Sequence, residues 1–207
     1  MLTLIDGAKK NPEILNKYLN RANKGVDRLI AIVKDLDLIS KLETENSNIV
    51  KKPFNIVELV EEVFDLLEMK ARSRHIQLGF DKLYNFPIVV LAEKERIEQV
   101  VTNLIVNSIK YGKIGGQTTV KFKNKGRDKI VVKIQDNGEG ISKMDQERIF
   151  ERFYRADKSR SRDQGGSGLG LSIVKHIIES HDEEIFFKSK IGKGSTFSFT
   201  MEKAEKL

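Results

Sequence analysis

Residues 96–112 read RIEQVVTNLIVNSIKYG and place two different side-chain stripes on one predicted helix. At 3.6 residues per turn, one face is apolar and carries Ile97, Val101, Leu104 and Ile105. A second stripe beside it, at i, i+4 and i+7, carries Asn103, Asn107 and Lys110. An amide oxygen can ligate a hard cation such as Mg²⁺, and an ammonium group one turn away can contact a phosphate that this cation carries. The two amides can equally be buried groups that cap neighbouring loops, so this stretch leaves both interpretations open.

The composition limits the class of protein. The chain has 207 residues, of which 39% are hydrophobic and 32% charged, enough for one sizeable domain with an appendage. No apolar run reaches membrane-spanning length, and no signal peptide opens the sequence. The sequence contains no cysteine, which excludes disulfides, thiol catalysis and cysteine-ligated zinc and favours a reducing compartment.

The net charge of +7 raises the question of a polyanionic partner. Lysines alternate with apolar residues along the predicted strands, at Lys121, Lys123, Lys129 and Lys133. This alternation is typical of the solvated face of a sheet, and the aromatic residues of a nucleic-acid platform are not interleaved with it. We therefore expect no nucleic-acid partner.

A long helix is predicted over residues 11–42, with Asn11 as N-cap and Pro12 in the first turn. Seven of its apolar residues are spaced alternately four and three positions apart: Leu15, Leu19, Ala22, Val26, Leu29, Val33 and Leu36. Such a seam favours a partner helix, in a helical hairpin or four-helix bundle, over a helix packed on its own domain. We expect residues 1–52 to form this helical region and residues 53–207 a separate domain.

Beyond Pro53, helical and alternating patterns interleave. Asn55 and Glu58 fit a capping box for a helix, and further helices are predicted over residues 93–111 and 173–180. Strands are predicted over residues 76–83, 88–91, 118–124, 129–136, 184–190 and 195–200. Hairpins of strands separated by helices indicate an α+β layer sandwich.

Three glycine-rich stretches follow the helix at residues 96–112. Residues 136–141, DNGEGI, end a predicted strand, where the Asp136 carboxylate can accept from an exocyclic amine such as that of adenine; an ordinary strand-ending turn is the alternative. Residues 165–171, GGSGLGL, run into a helix whose free amide groups can hold phosphate. Their spacing fits neither a Rossmann nor a P-loop motif. Residues 192–197, GKGSTF, are most simply a hairpin turn.

Residues 149–164, IFERFYRADKSRSRDQ, lie between the first two glycine stretches and are basic, with Arg152, Arg155, Lys158, Arg160 and Arg162. A segment of this kind, ending at a phosphate-type loop, can act as a lid over a polyphosphate. A solvated loop is the alternative.

Taken in order, these stretches resemble the motifs of bacterial sensor histidine kinases. The matching boxes are the N box at residues 103–111, the glycine boxes at 136–140, 166–171 and 192–197, and the F box at 150–154. The resemblance implies a Bergerat-type two-layer α/β sandwich, with a mixed sheet packed on helices. It also implies that residues 11–42 correspond to the second helix of a dimerisation hairpin.

The resemblance implies that the chain binds ATP and Mg²⁺. Asn107 would hold Mg²⁺ with Asn103 near it, while Lys110 and Tyr111 would contact phosphate or sugar. Asp136 would take the adenine amine, directly and through a water shared with Thr196. The further residues that the resemblance places at the nucleotide are Gly138, Gly140, Ile141, Tyr154, Arg155, Arg160, Gly166, Gly168, Leu169, Gly170 and Leu171.

The implied activity is transfer of the ATP γ-phosphoryl group to a histidine on the dimerisation helix, for relay to an aspartate of a response-regulator receiver domain. The acceptor histidine of that family is followed by an acidic residue and soon by Thr-Pro, which His75, His176 and His181 all lack. We therefore expect these histidines to be structural and the acceptor to lie upstream of Met1, so that no residue of this chain is itself a catalytic acceptor. A homodimeric parent, anchored in the inner membrane with this portion in the cytoplasm, is implied by the same resemblance.

ATPases with the same implied fold place a glutamate four residues before the metal-binding asparagine, as general base for water. This sequence has Asn103 there, and an amide cannot accept a proton at neutral pH. We therefore expect a kinase with slow or absent ATP hydrolysis. The alternatives are an ATPase of that fold and an interaction module with a degenerate pocket, which would not bind Mg-ATP.

Overall fold

The computed structural model describes residues 12–44, 49–156 and 167–204. The helices are α1 Pro12–Thr44, α2 Ile56–Arg72, α3 Lys94–Tyr111, α4 Lys143–Gln146 and α5 Gly170–Ser180. The strands are β1 Lys52–Asn55, β2 Gln77–Phe80, β3 Val89–Ala92, β4 Gln117–Lys125, β5 Lys129–Asp136, β6 Ile185–Lys190 and β7 Gly194–Glu202.

The strands form two sheets. β1 and β3 pair antiparallel, and the other five strands form a sheet of order β2-β4-β5-β7-β6. β2 runs parallel to β4, whereas the remaining neighbours are antiparallel, so the larger sheet is mixed. The predicted α+β class, a mixed sheet packed on helices, is confirmed.

The core lies between one face of the larger sheet and the helices. Alternate residues of the central strands β5 and β7 point into it, so that Ile134 and Phe197 are paired across the strands and both buried. From the helices, Ile97 and Leu104 of α3 and Ile173 of α5 meet this layer and are almost completely buried. The opposite face of the sheet carries exposed lysines, among them Lys123 on β4 and Lys188 on β6.

Helix α1 stands apart from this core. Large apolar side chains of its predicted seam are exposed, among them Leu19, Val26 and Val33. α1 contacts α5, and the hydrophobic core begins only at Phe54. Among the described helices, none combines the length and the hydropathy needed to cross a membrane. Asn11, the predicted N-cap, lies outside the described residues.

Some elements differ from the sequence prediction. Strand β1 and the one-turn helix α4, each of four residues, were not predicted. β2 ends at Phe80, three residues earlier than predicted. Beyond Phe80 the strand pairing ends. The Phe122 backbone amide on β4 donates instead to the side-chain hydroxyl of Tyr84 (3.0 Å).

Candidate functional site

Helix α3 carries the predicted amide stripe and is fixed at its C-terminal end by an arginine. Arg74 donates to the carbonyl oxygens of Lys110 (2.7 Å) and Gly112 (3.1 Å), which satisfies acceptors that the helix itself leaves free. The apolar face is buried, as predicted. The stripe with Asn103 and Asn107 is half-buried along the edge of that face.

The two asparagines do not cap loops among the residues that the structure describes. Asn103 Nδ2 is buried and has no hydrogen-bond partner among the described residues. Asn103 lies against the first turn of α5, where a Cβ atom at Gly170 would be 3.8 Å from its Oδ1. The amide stripe of α3 therefore faces the start of the helix that follows the second glycine stretch.

Asp136 is held at the end of β5 by two backbone amides. Its Oδ1 accepts from Gly138 N (2.8 Å) and from Ser195 N (3.2 Å), and the side chain is buried. Burial raises the pKa of the Asp136 carboxyl, and hydrogen bonds from the backbone amides of Gly138, Ser195 and Asp136 itself partly oppose this shift. The bonds from Gly138 and Ser195 both go to Oδ1, so the geometry leaves Oδ2 as an acceptor for a further group.

The first glycine stretch is pressed against the end of α3. A Cβ atom at Gly138 would collide with the Tyr111 carbonyl oxygen and come within 3.0 Å of Gly112 Cα. Only glycine permits this approach. It places the Asp136 carboxylate beside the last turn of the helix that carries Asn107.

The second glycine stretch is pressed against the F box. Gly168 has φ +79°, and a Cβ atom there would be 2.8 Å from the Phe153 carbonyl carbon. Phe153 itself has φ +62°, a conformation that is costly for a non-glycine residue. The base of the predicted lid and the predicted phosphate loop therefore meet at this contact. Arg160 and Gly166, both predicted nucleotide contacts, lie outside the described residues.

The F-box tyrosine is engaged by a neighbouring helix. The Tyr154 hydroxyl donates to Asp145 Oδ1 (2.6 Å) on α4, and the Arg148 guanidinium lies 4.4 Å from the centre of the ring. The bonds from Ser142 and Tyr154 lower the pKa of the Asp145 carboxyl. In this structure Tyr154 thus anchors the base of the lid segment, while its neighbour Arg155 is half-buried.

Thr196 does not lie where the sequence prediction placed it. Residues paired across antiparallel strands share a face, and Thr196 pairs with Gln135, which is exposed on the face opposite Asp136. The position beside Asp136 belongs to Ser195, whose amide binds the carboxylate. The hydroxyl of Ser195 also lies 2.8 Å from that of Ser189. The adjacent hydroxyl residue was therefore assigned one position too late, and no sequence signal distinguishes the two without the strand register.

The other predicted nucleotide contacts near α3 and Asp136 differ in how exposed they are. Lys110 Nζ lies 5.0 Å from the centre of the Tyr111 ring, and that ring is about half exposed. The Ile141 amide donates to Ser189 Oγ (2.8 Å), which ties the end of the first glycine stretch to β6. Leu169 is completely buried and Leu171 packs against the core, so these two contribute apolar packing below the phosphate loop.

His181 is structural, as the sequence predicted. It is buried after the last turn of α5, its Nδ1–H donates to the Ile177 carbonyl oxygen (2.8 Å), and its Nε2 accepts from the Glu93 amide (3.2 Å). Both ring nitrogens are thus occupied and the neutral tautomer is fixed. Burial lowers the pKa of His181 further, so the ring is unsuited to carry charge.

Comparisons with known proteins agree with this geometry. Residues 92–205 match the family described as histidine kinase-, DNA gyrase B-, and HSP90-like ATPase. Sensor histidine kinase WalK of Bacillus subtilis (strain 168) is 33% identical over 202 residues, which are 96% of this chain and 32% of that protein. This chain therefore spans about a third of the length of that relative.

Solved structures similar to this chain are also histidine kinases. The catalytic domain of histidine kinase ThkA is 31% identical, with a TM-score of 0.63 over 74% of this chain and 95% of that one. A structure of ThkA in complex with response regulator protein TrrA is 29% identical, with a TM-score of 0.74 over 98% of this chain and 56% of that one.

Proposed function

Since the chain belongs to the histidine kinase-, DNA gyrase B-, and HSP90-like ATPase family, we propose that it binds Mg-ATP and transfers the γ-phosphoryl group to a histidine side chain. The observation that carries this proposal is the buried Asp136 carboxylate, fixed through Oδ1 and open at Oδ2. A buried, anchored carboxylate with one free oxygen is suited to accept from the exocyclic amine of adenine. Ser195 is the hydroxyl residue that would share a water with it.

The phosphates would lie between α3 and the start of α5. The free amide groups of the first turn of α5 give this end a partial positive charge. Lys110, on the amide stripe, adds a cation that can reach a phosphate oxygen. The close approach of Gly170 to Asn103 brings both parts of this cradle together.

The residues present fit a magnesium ion that arrives with phosphate. The described residues contain no group of three or more His, Cys, Asp or Glu side chains that could hold a metal by themselves. Mg²⁺ generally keeps water and substrate phosphates as ligands and needs few from the protein. Asn107 is half-buried on the stripe and would supply an amide oxygen. When bound, the metal would neutralise phosphate charge during transfer.

Transfer to a protein side chain is favoured over hydrolysis because of Asn103. An amide cannot remove a proton from water, and no carboxylate takes its place on the α3 stripe. Asn103 is instead packed against Gly170, the first residue of α5.

We further propose that the parent protein is a homodimer and passes the phosphoryl group to a response regulator. The exposed apolar seam of α1 supports the first part. The likeness to ThkA, whose structure contains response regulator protein TrrA, supports the second.

The test is calorimetric titration of the chain with ATP in the presence of Mg²⁺. Asp136→Asn is expected to lower the affinity at least about thirtyfold, because the amide presents a donor where adenine needs an acceptor. Asn107→Ala is expected to weaken binding of Mg-ATP more than binding of ATP without metal.

The control is Gln135→Ala, one residue earlier on the exposed face of β5, which should leave the affinity unchanged. Because burial raises the pKa of Asp136, its ionised form costs folding free energy at neutral pH. The ligand-free Asp136→Asn variant should therefore melt no earlier than the wild type, which separates lost binding from lost folding. Undiminished ATP affinity in this variant would contradict the proposed site.

A further inference from the structure

The face of the larger sheet that points away from the helices carries a group of lysines. Lys121 and Lys133 are directly opposite each other on β4 and β5, and Lys133 pairs in turn with Ser198 on β7. Because cross-strand partners and every second residue share a face, five lysines lie on this face, Lys121, Lys123, Lys133, Lys188 and Lys190. We refer to these five residues as the lysine face.

The lysine face is uncompensated. In the part of the chain that the structure describes, none of its five ammonium groups makes an ion pair; three of the five side chains are exposed, and those of Lys121 and Lys133 are half-buried. The acids at the far end of the sheet are already paired, Glu184 with Lys125 (2.6 Å) and Glu183 with Lys129 (2.8 Å). Like charges directly opposite each other destabilise a sheet. Because these lysines lack ion-pair partners among the described residues, the face presents a positive electrostatic potential to the solvent.

A loop with two exposed apolar side chains borders the lysine face. Leu83 and Phe86, in the loop over residues 81–87, are each 82% exposed. The loop follows the edge of β4 on both sides of Lys121, because the Asp81 amide donates to the Val120 carbonyl oxygen (3.2 Å) and the Tyr84 hydroxyl accepts from the Phe122 amide. The loop that carries the two exposed apolar residues is thus held along the edge of β4, the strand of Lys121 and Lys123.

We propose that the lysine face and the 81–87 loop together form a docking surface for an anionic lipid bilayer. Cations bind the head groups while neighbouring Leu and Phe side chains enter the interfacial region, which is the combination seen in peripheral membrane contacts. A single-stranded nucleic acid would need aromatic rings on the sheet for stacking. Among the described residues of this face, Phe186 on the edge strand β6 is the one aromatic side chain.

The experiment is sedimentation of the full chain with vesicles of phosphatidylglycerol mixed with phosphatidylcholine, and with vesicles of phosphatidylcholine alone. Binding is expected with the anionic vesicles, decreasing as salt is raised, and not with the neutral ones. The double variant Lys123→Gln/Lys188→Gln is expected to lower the partition coefficient roughly twenty-five-fold, at about fivefold per lysine. Phe86→Ser is expected to lower it about tenfold.

Matched controls lie on the helical side of the molecule. Lys70→Gln/Lys175→Gln removes the same formal charge from exposed positions on α2 and α5, where Lys175 is 3.7 Å from Glu179, and Met69→Ser removes a similarly exposed apolar side chain from α2. These variants should bind the vesicles as the wild type does. An equal loss in the control and test variants would overturn the proposal, because net charge alone would then explain binding.

Two further outcomes would also overturn it. Vesicle binding that survives in both test variants would belong to the exposed seam of α1. Tighter binding to an oligonucleotide or to polyglutamate than to the vesicles, with the same dependence on Lys123 and Lys188, would assign the surface to a nucleic acid or an acidic protein. ATP affinity, measured on every variant, shows that each is folded.

Discussion

Ser195 and Thr196 are adjacent hydroxyl residues that occupy opposite faces of β7. The sequence motif supports either as the partner of Asp136, because both follow Gly194. A shift of one residue moves a side chain to the other face of a sheet, so the decision belongs to the pairing register. The register puts Thr196 opposite Gln135, which leaves Ser195 beside the carboxylate.

A second single residue, His181, links three parts of the chain. Its ring joins the end of α5 to the Glu93 amide before α3, and its own carbonyl oxygen accepts from Lys51 Nζ (2.9 Å) just before β1. The bond from the Glu93 amide requires the neutral ring, because Nε2 can accept it only when unprotonated.

We expect His181 to make folding sensitive to acid. Because burial lowers its folded pKa below the ordinary value of 6.5, the unfolded chain binds this proton more readily. The free energy of unfolding should therefore fall as pH decreases through 6.5. Urea denaturation of wild type and His181→Asn at about pH 7.5 and about pH 5.5 measures this, and the variant should lose less stability between the two.

His75→Asn is the control for that experiment. His75 is exposed and has φ +54°, a conformation that asparagine tolerates. Its replacement should leave the acid-dependent loss as in the wild type. The same loss in His181→Asn would show that other groups cause it.

Among the elements, pairing of the central strands β4 and β5 buries their inner faces but brings like charges together on their outer faces. The inner faces of β4 and β5 are buried in the core, whereas their outer faces bring Lys121 and Lys133 together. The alternation in the sequence predicts one solvated face. On it Lys123 is exposed and Lys121 and Lys133 are half-buried, whereas Val131 is buried. The alternation does not predict which cations become neighbours, because that depends on the register of strands joined by the turn near Gly126.

Lys133→Glu is expected to stabilise the folded chain. It converts a like-charge pair with Lys121 into an opposite-charge pair, worth about 0.2–1 kcal/mol in the free energy of unfolding at low salt. Lys188→Glu, whose partner Thr196 is uncharged, is the control and should give a smaller change. Thermal or urea unfolding at low and high salt measures both, and equal effects of the two substitutions would contradict the pairwise explanation.

At the level of the whole molecule, α1 and the folded domain depend on each other very little. The hydrophobic core is built from residues 54–201, and the described side chains of α1 are mostly exposed. This supports the proposed boundary between residues 1–52 and residues 53–207. The connection between the two parts is anchored by Lys51 on the end of α5.

A fragment of residues 49–207 is expected to fold and to bind ATP with the affinity of the full chain, since it keeps Lys51, β1 and the entire core. A fragment that begins at residue 56 is the comparison. It loses the buried Phe54 and the Asn55 cap, whose Oδ1 accepts from the Val57 and Ile88 amides (3.1 Å each). It should be less stable by at least about 3 kcal/mol. Calorimetry measures the ATP affinity of both fragments, and thermal unfolding measures their stability. A fragment of residues 49–207 that does not bind ATP would contradict the proposed domain boundary.

The sequence by itself determined the class of fold, the order of the helices and most strands, the amide stripe on α3 and the family. These follow from local periodicity, capping residues and glycine motifs, which physical chemistry ties to nearby positions in the chain. The tertiary structure decided which hydroxyl residue lies beside Asp136, that Tyr154 is bound to α4, and that the lysines share one face beside an exposed apolar loop. Each of these depends on strand register or on contacts between distant segments, and a linear pattern does not contain that information.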